Sequence, residues 1–195
     1  HDDLPICDND LIRRGMPSVH AAFGETTALL CGDAMLADSF AILSGFKYNL
    51  SSKNSALTNE HSAARLAMVS ELAEASGING MVKGQAIDMK LEGKNTETLN
   101  FKSIDYLHRL KTGALISAAC AMGGHSAEAD ISEIKKLRAF GLDIGLAFQI
   151  LDDVLDNNTE AGKTPGKDKA QDKATYLSLL GVEKSMKRAS ELTQK

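Results

Sequence analysis

Aspartates crowd together at two places that lie far apart in the 195-residue sequence. The clusters are Asp2, Asp3 and Asp8 near the start, and Asp152, Asp153 and Asp156 near residue 150. Carboxylates this close repel one another unless a cation lies between them. Hard oxygen ligands with few nitrogen or sulfur donors select Mg²⁺, which keeps several waters and favours sites completed by substrate phosphates. The residue types therefore predict magnesium that carries a diphosphate.

The second cluster has a DDxxD spacing that fits one turn of helix. Asp152 and Asp156 would share a face, with Asp153 rotated by about 100°. The alternative is a solvated acidic face without a ligand. Apolar residues on both sides, 148–151 and 154–155 apart from Gln149, argue against simple exposure.

Basic residues accompany both acidic clusters, as a bound diphosphate would require. They are Arg13, Arg14, Lys111, Lys163, Lys167 and Lys173. Each of them alone is equally well explained as an ordinary surface charge. Their placement beside the carboxylates makes the set indicative of a diphosphate site.

Helices must position these residues, because helix formers dominate and β-branched runs are scarce. Apolar periodicity near 3.6 predicts helices over 25–44, 59–76, 81–91, 106–122, 131–157 and 184–195. The first of these is apolar and Ala-rich, which predicts a buried helix. Residues 6–17, 94–100 and 158–174 are expected to be turns or loops. We therefore predict one all-α domain over residues 1–195.

Composition excludes several classes of protein. The net charge of −4 leaves no basic footprint for nucleic acid, and no apolar run reaches the ~18 residues of a membrane span. Three scattered cysteines without a CxxC motif fit a reducing compartment, so we expect a cytoplasmic protein, or a plastid one if a transit peptide has been removed. The chain opens on His1 inside a motif, and we expect it to be incomplete at both termini.

Several motifs together resemble the trans-isoprenyl (polyprenyl) diphosphate synthases, in particular the farnesyl and geranylgeranyl diphosphate synthase group. The matching segments are 1–5, 8–15, 84–88, 111–115, 148–156 and 162–176. They occur in the order that the family has and cover nearly the whole chain. Any one motif is weak, but the set is specific.

The resemblance implies an isoprenoid synthase-type helical bundle around a central cavity, with the two aspartate segments facing each other across its mouth. It implies a homodimeric, Mg²⁺-dependent prenyltransferase with three magnesium ions per active site. The substrates would be isopentenyl diphosphate and an allylic diphosphate (dimethylallyl, geranyl or farnesyl). The product would be a C15 or C20 all-trans prenyl diphosphate.

Site residues carry over from the same resemblance, position by position. Asp2, Asp8 and Asp152 would bind magnesium, with Asp3, Asp153 and Asp156 as outer or partial ligands and Asp88 and Asp168 nearby. Arg13, Lys111 and Lys163 would neutralise the allylic diphosphate, Gln149 would orient it, Lys173 would lie near it, and Arg14 would face isopentenyl diphosphate. Gln85 and Thr112 would hydrogen-bond around the reacting carbon, although helix packing explains them nearly as well.

Two departures and two alternatives accompany the resemblance. Leu11 stands where the family has a further acid, and Cys7 where it usually has Met. The family's N-terminal basic motif and its chain-length positions lie before residue 1. A non-catalytic regulatory subunit is an alternative, although both clusters and their cations persist. A terpene cyclase on the same fold is another, although it would not need Arg13, Arg14 and Lys111 for a second diphosphate.

Overall fold

Helices make up most of the described chain in the computed structural model, which describes residues 1–45, 61–91, 100–156 and 176–194. The helices are α1 (Val19–Phe23), α2 (Glu25–Leu43), α3 (Ser62–Ser76), α4 (Met81–Leu91), α5 (Phe101–His108), α6 (Ala114–Ser126), α7 (Ile131–Asp156) and α8 (Tyr176–Thr193), with a π-helical turn, Arg109–Gly113, between α5 and α6. Two short strands, β1 (Ile12–Arg13) and β2 (Met16–Pro17), pair as an antiparallel hairpin. The prediction of an all-α fold is confirmed.

The helix predicted over 106–122 is longer at both ends. It begins at Phe101, where the side chain of Asn100 caps it by accepting a hydrogen bond from the Ser103 amide at 3.1 Å. It runs through the π-helical turn into α6, so Gly124 lies inside the helix instead of after it. A Cβ on Gly124 would lie 2.7 Å from the Leu137 side chain, so this glycine permits close packing against α7.

The last predicted helix also begins earlier than expected, at Tyr176, and it kinks at Gly181, where φ is 73°. The loop predicted over 158–174 lies outside the described residues, and so does the turn predicted over 94–100 apart from Asn100, the cap of α5.

Helix α7 is the longest element, with 26 residues, and it carries the second aspartate cluster at its C-terminal end. Its start is fixed by a reciprocal cap. The carboxylate of Asp130 accepts from the amides of Ser132 and Glu133, and the carboxylate of Glu133 accepts from the amide of Asp130 at 3.0 Å. The helix packs against α6 on one side and α8 on the other.

The best-defined core lies between α5, α7 and α8. Its buried residues are Ile104, Leu146, Ala147, Ile150, Tyr176, Ala189 and Leu192. Tyr176 is fully buried, stacks on His108 with ring centroids 5.3 Å apart, and meets Phe101 edge to face. This core fixes the C-terminal half of α7, and with it the second aspartate cluster.

Helix α2 is the element that departs most from the sequence prediction. It was expected to be buried, yet Ala28 is the one buried residue among its 19. Its large exposed apolar side chains are Leu29, Leu30, Met35, Leu36 and Ile42. In the described structure α2 contacts α1 and α3, which leave most of its apolar surface uncovered. The prediction of a buried helix is therefore wrong for this chain taken alone.

The same helix passes one test for a membrane span. Among the described helices, α2 is the one that is long and apolar enough to cross a bilayer, judged by length and composition only. Its acidic residues Asp33 and Asp38 would be costly inside lipid. The absence of a membrane span therefore stays a prediction.

Candidate active site

The first aspartate cluster lies on a loop that folds back on itself. The amide of Asp8 donates to the carbonyl of Asp2 at 3.0 Å, and the amide of Asp10 donates to the carbonyl of Asp3 at 3.1 Å. These bonds bring the backbones of Asp2 and Asp8 together although the two residues are six positions apart. A continuous helix would place two residues six positions apart on different faces. The loop instead brings Asp2 and Asp8 close together.

The β1–β2 hairpin places the two neighbouring arginines differently. Its two-residue turn is formed by Arg14 and Gly15, with φ values of 53° and 76°, as the twist of a tight hairpin requires. Arg13, on the strand, donates to the carboxylate of Asp3 at 2.7 Å, and this hydrogen bond raises the pKa of its guanidinium. Arg14, at the turn, is exposed.

Lys111 is held in the π-helical turn and pairs with Asp88 of α4. The ammonium nitrogen lies 2.6 Å from the carboxylate oxygen, and both side chains are mostly enclosed. The turn and α4 touch backbone to backbone, since a Cβ added to Gly84 would lie 2.3 Å from the Lys111 amide nitrogen. Glycine at position 84 is thus a condition for placing Lys111 here.

The aspartate loop lies close enough to Lys111 to act on its charge. Burial lowers the pKa of Lys111, but the carboxylates of Asp88, Asp2 and Asp8 outweigh burial and raise it. Burial raises the pKa of the neighbouring Cys7 thiol, and the charges of Asp2 and Asp8 raise it further. The structure therefore brings the first aspartate cluster and Lys111 into one electrostatic site, with the lysine kept protonated.

Thr112, Gln149 and Asp153 form a chain of hydrogen bonds from the π-helical turn into α7. The hydroxyl of Thr112 donates to the amide oxygen of Gln149 at 2.9 Å, and the amide nitrogen of Gln149 donates to Asp153 at 3.0 Å. The other carboxylate oxygen of Asp153 accepts from the backbone amide of Tyr176 at 3.0 Å. Asp153 is 3% exposed. It thus faces the α7–α8 contact, whereas the neighbouring Asp152 is half-buried.

The structure gives fewer contacts, or none, for the remaining predicted site residues. Gln85 lies on α4, half-buried, and its enclosed side-chain nitrogen has no hydrogen-bond partner among the described residues. Asp156 is the last residue of α7. Lys163, Asp168 and Lys173 lie outside the described residues.

One ionic network was missed by the sequence reasoning. The carboxylate of Asp105 accepts from Arg109 at 2.7 Å and from the Tyr176 hydroxyl at 3.2 Å, and Arg109 also lies 3.7 Å from Asp143. Burial and then the charge of Asp105 raise the pKa of Tyr176. The i,i+4 spacing of Asp105 and Arg109 was the available sequence signal, while nothing in the sequence linked Tyr176 to them.

A second cluster lies apart from the predicted site. Glu71 of α3 pairs with Arg138 of α7 and with His125 of α6. Burial raises the pKa of Glu71, but hydrogen bonds from Arg138 and His125 lower it overall. The cluster borders a cleft of about 400 Å³ whose lining includes none of the predicted site residues.

The donor chemistry fits magnesium better than a metal held by protein alone. Among the described residues, no three His, Cys, Asp or Glu side chains group closely enough to hold a metal ion. Asp2 and Asp8 offer oxygen donors on one loop, and Asp152 of α7 would supply another. Mg²⁺ keeps several waters and takes the remaining ligands from substrate phosphates, so sparse carboxylates suit it.

Comparison with known proteins decides the family. The Polyprenyl synthetase family profile matches residues 1–195. The chain belongs to the polyprenyl synthetase family. It is 41% identical to the large subunit 1 of the chloroplastic heterodimeric geranylgeranyl pyrophosphate synthase of Arabidopsis thaliana, over 100% of this chain and 51% of that protein. It is also 41% identical to farnesyl diphosphate synthase of Escherichia coli, over 98% of this chain and 62% of that protein.

Solved structures agree with this assignment. The polyprenyl synthetase chain superposes on an FPP/GFPP synthase from Zymomonas mobilis with a TM-score of 0.80 and 40% identity, covering 98% of this chain and 61% of that one. A geranyltransferase from Helicobacter pylori, complexed with magnesium and isoprenyl diphosphate, gives a TM-score of 0.80 and 38% identity, covering 98% and 59%. The chain therefore spans between about half and three-fifths of the length of these relatives.

Proposed function

We propose that the protein is a Mg²⁺-dependent isoprenyl diphosphate synthase. It joins isopentenyl diphosphate to an allylic diphosphate (dimethylallyl, geranyl or farnesyl) and gives a C15 or C20 all-trans product. The observation that carries the proposal is the oxygen-donor loop of Asp2 and Asp8 set beside the protonated Lys111. Relatives named farnesyl and geranylgeranyl synthases, at about 40% identity, support it.

The chemistry begins with loss of diphosphate from the allylic substrate. When bound, magnesium, with three ions as the family implies, neutralises charge that accumulates on the departing diphosphate. Lys111 stays protonated through Asp88, Asp2 and Asp8, and so can share in that neutralisation. Arg13, held by Asp3, lies on the same N-terminal segment and adds a second fixed cation.

Carbon–carbon bond formation follows. The alkene of isopentenyl diphosphate attacks the allylic cation that the departed diphosphate has left, and the resulting cation then loses a proton to the released diphosphate. Thr112 and Gln149, which are hydrogen-bonded to each other beside Lys111, would orient the reacting groups.

Several residues enter the proposal on their position alone. Arg14, exposed at the hairpin turn, is available for the diphosphate of isopentenyl diphosphate. Gln85 has an unpaired, enclosed amide nitrogen that could bind substrate. Asp152 and Asp156 would be magnesium ligands from α7, and Lys163 and Lys173, which lie outside the described residues, would be further cations by the family resemblance.

Assembly and location complete the proposal. We infer a homodimer, for which the uncovered apolar surface of α2 provides an interface. Among the relatives, one Arabidopsis protein is named as a heterodimeric subunit and as chloroplastic. A cytoplasmic or plastid location agrees with the reduced cysteines of the chain.

A condensation assay tests the activity. The full-length protein is incubated with radiolabelled isopentenyl diphosphate, each allylic primer in turn, and Mg²⁺ or EDTA. We expect a labelled C15 or C20 prenyl diphosphate that EDTA abolishes. Asp152→Asn should reduce turnover by about 100-fold or more, while Glu183→Gln, an exposed acid on α8, should not change it. Absence of prenyl product from every primer would rule out the proposal.

A further inference from the structure

The two adjacent aspartates of the DDxxD motif lie in different surroundings. Asp153 is 3% exposed, and each of its carboxylate oxygens accepts a protein hydrogen bond, one from Gln149 and one from the Tyr176 amide, both at 3.0 Å. Asp152 is half-buried on a face of α7 rotated by about 100°. The surroundings of Asp153 are those of a structural acceptor, which sets it apart from the magnesium ligands of the proposed function.

The direction of each hydrogen bond follows from the chemistry of a carboxylate. An ionised carboxylate only accepts, so Gln149 must turn its NH₂ group toward Asp153. The amide oxygen of Gln149 then faces Thr112, at 2.9 Å from the hydroxyl. Since that oxygen only accepts, Thr112 must donate its proton to it. The orientation of the amide is thereby decided by Asp153.

We propose that Asp153 is a positioning residue that fixes the direction of the Thr112–Gln149 hydrogen bond and is not a ligand of magnesium. The inference rests on the proposed prenyl-transfer function. With its proton committed to Gln149, the Thr112 hydroxyl presents only lone pairs on its remaining side. Lone pairs stabilise positive charge that develops on an allylic carbon, whereas a hydroxyl proton in that place would oppose it.

Asp153→Asn reverses the donor and acceptor roles along the hydrogen bonds from Asp153 through Gln149 to Thr112. It changes the shape of the side chain at position 153 very little. The Asn oxygen would keep the bond from the Tyr176 amide, which leaves its NH₂ group facing Gln149. Gln149 must then turn its oxygen toward Asn and its own NH₂ group toward Thr112. The Thr112 hydroxyl becomes an acceptor, and its proton is free to point elsewhere.

Steady-state kinetics on the full-length protein test this reversal. We expect Asp153→Asn to lower kcat by about 10-fold or more, with KM for isopentenyl diphosphate within about twofold of wild type. In a Thr112→Val background, Asp153→Asn should cause no further loss, because Asp153 acts through that hydroxyl. Full additivity of the two losses, or an unchanged kcat in Asp153→Asn, would overturn the inference.

A binding measurement separates this inference from the proposed function. Calorimetry with Mg²⁺ and inorganic diphosphate needs no turnover. We expect Asp153→Asn to bind as wild type does and Asp152→Asn to lose binding. Equal losses in the two variants would make Asp153 a metal ligand and overturn the inference. Failure of the unmutated protein to make any prenyl product would instead count against the proposed function alone.

A second variant covers the case in which Asp153→Asn does not fold. Gln149→Met leaves the bond between Asp153 and the Tyr176 amide intact, and it removes the link to Thr112. It should fold with a melting temperature lowered by the lost hydrogen bond to the buried Asp153 carboxylate, and it should lose kcat to the same extent as expected for Asp153→Asn. A Gln149→Met protein with wild-type kcat would also overturn the inference.

Discussion

At the scale of single residues, the site depends on charges that the fold holds in fixed protonation states. Lys111 is mostly enclosed, and burial alone would favour its neutral form. Three carboxylates, Asp88, Asp2 and Asp8, reverse that preference. The acids of the first cluster therefore do two things, since they offer oxygen donors to magnesium and keep the nearby lysine charged.

Lys111→Met tests whether the positive charge of this lysine contributes to the reaction. It removes one cation from the diphosphate site and leaves Asp88 without its partner. We expect kcat to fall by about 100-fold and binding of Mg²⁺ with inorganic diphosphate to weaken. Lys102→Met, which removes an exposed lysine from α5, is the matched control and should behave as wild type. Equal activity in the two variants would show that Lys111 has no part in the chemistry.

His108 gives a prediction on stability. It is buried and stacks on Tyr176, and neither ring nitrogen has a hydrogen-bond partner within the part of the chain that the structure describes. Its pKa is lowered from 6.5 to about 4, chiefly by burial and in part by the charge of Lys111, against the opposing carboxylates of Asp88 and Asp105. The unfolded chain therefore binds this proton more tightly than the folded one. Folding stability is lost as pH falls from about 6.5 toward 4.

The loss of stability caused by protonation of His108 can be measured as a change in the free energy of unfolding. Linkage gives a contribution of about 2 kcal/mol to the free energy of unfolding between pH 7 and pH 5. His108→Phe keeps the ring stack and removes the titration, so its unfolding free energy should change less over this range. Urea denaturation at the two pH values provides the measurement. Parallel pH dependence in the two proteins would contradict the assignment.

Residue types predicted the aspartate clusters and Lys111, because each carries its chemistry in its side chain and lies in a short motif. The inward direction of Asp153 could not be predicted in the same way. It depends on the amide of Tyr176, which lies 23 positions away and belongs to another helix. Periodicity places Asp153 on a different face from Asp152, but it does not say what covers that face.

At the scale of elements, the π-helical turn positions the side chains of Lys111 and Thr112 in the candidate site. Such turns occur mostly as single insertions in helices and often at functional sites. Apolar periodicity predicted a helix here but not its change of register. The register depends on backbone contacts with α4 at Gly84 and with α7 at Gly145, where an added Cβ would lie 2.7 Å from the Cα of Gly113.

Gly84→Ala should disturb this arrangement. The new methyl group would meet the backbone of Lys111, which cannot move aside as a flexible side chain could. We expect a loss of about 1–3 kcal/mol in the free energy of unfolding, together with reduced kcat from displacement of Lys111. Gly123→Ala is the control, because nothing lies within 4 Å of its added Cβ and alanine favours a helix interior. Equal stability of the two variants would argue against a tight α4 contact.

At the scale of the whole molecule, α2 is the feature that a single chain does not explain. Its sequence predicted burial, and the described structure leaves its apolar side chains exposed. Apolar surface of this extent on one helix is typical of an interface. The sequence pattern thus predicted that α2 is buried against another surface. It could not predict whether that surface belongs to the same chain.

The homodimer is the prediction that belongs to this scale. Leu30, in the second turn of α2, is 59% exposed. Leu30→Glu would place a charge in the proposed interface, where an unpaired buried charge costs several kcal/mol. We expect sedimentation velocity to show a dimer for wild type and for Leu30→Met, and a monomer for Leu30→Glu. A wild-type monomer, or a Leu30→Glu dimer, would mean that α2 is covered by something other than a second copy. Cosedimentation of the wild-type protein with lipid vesicles would then identify a membrane as that cover.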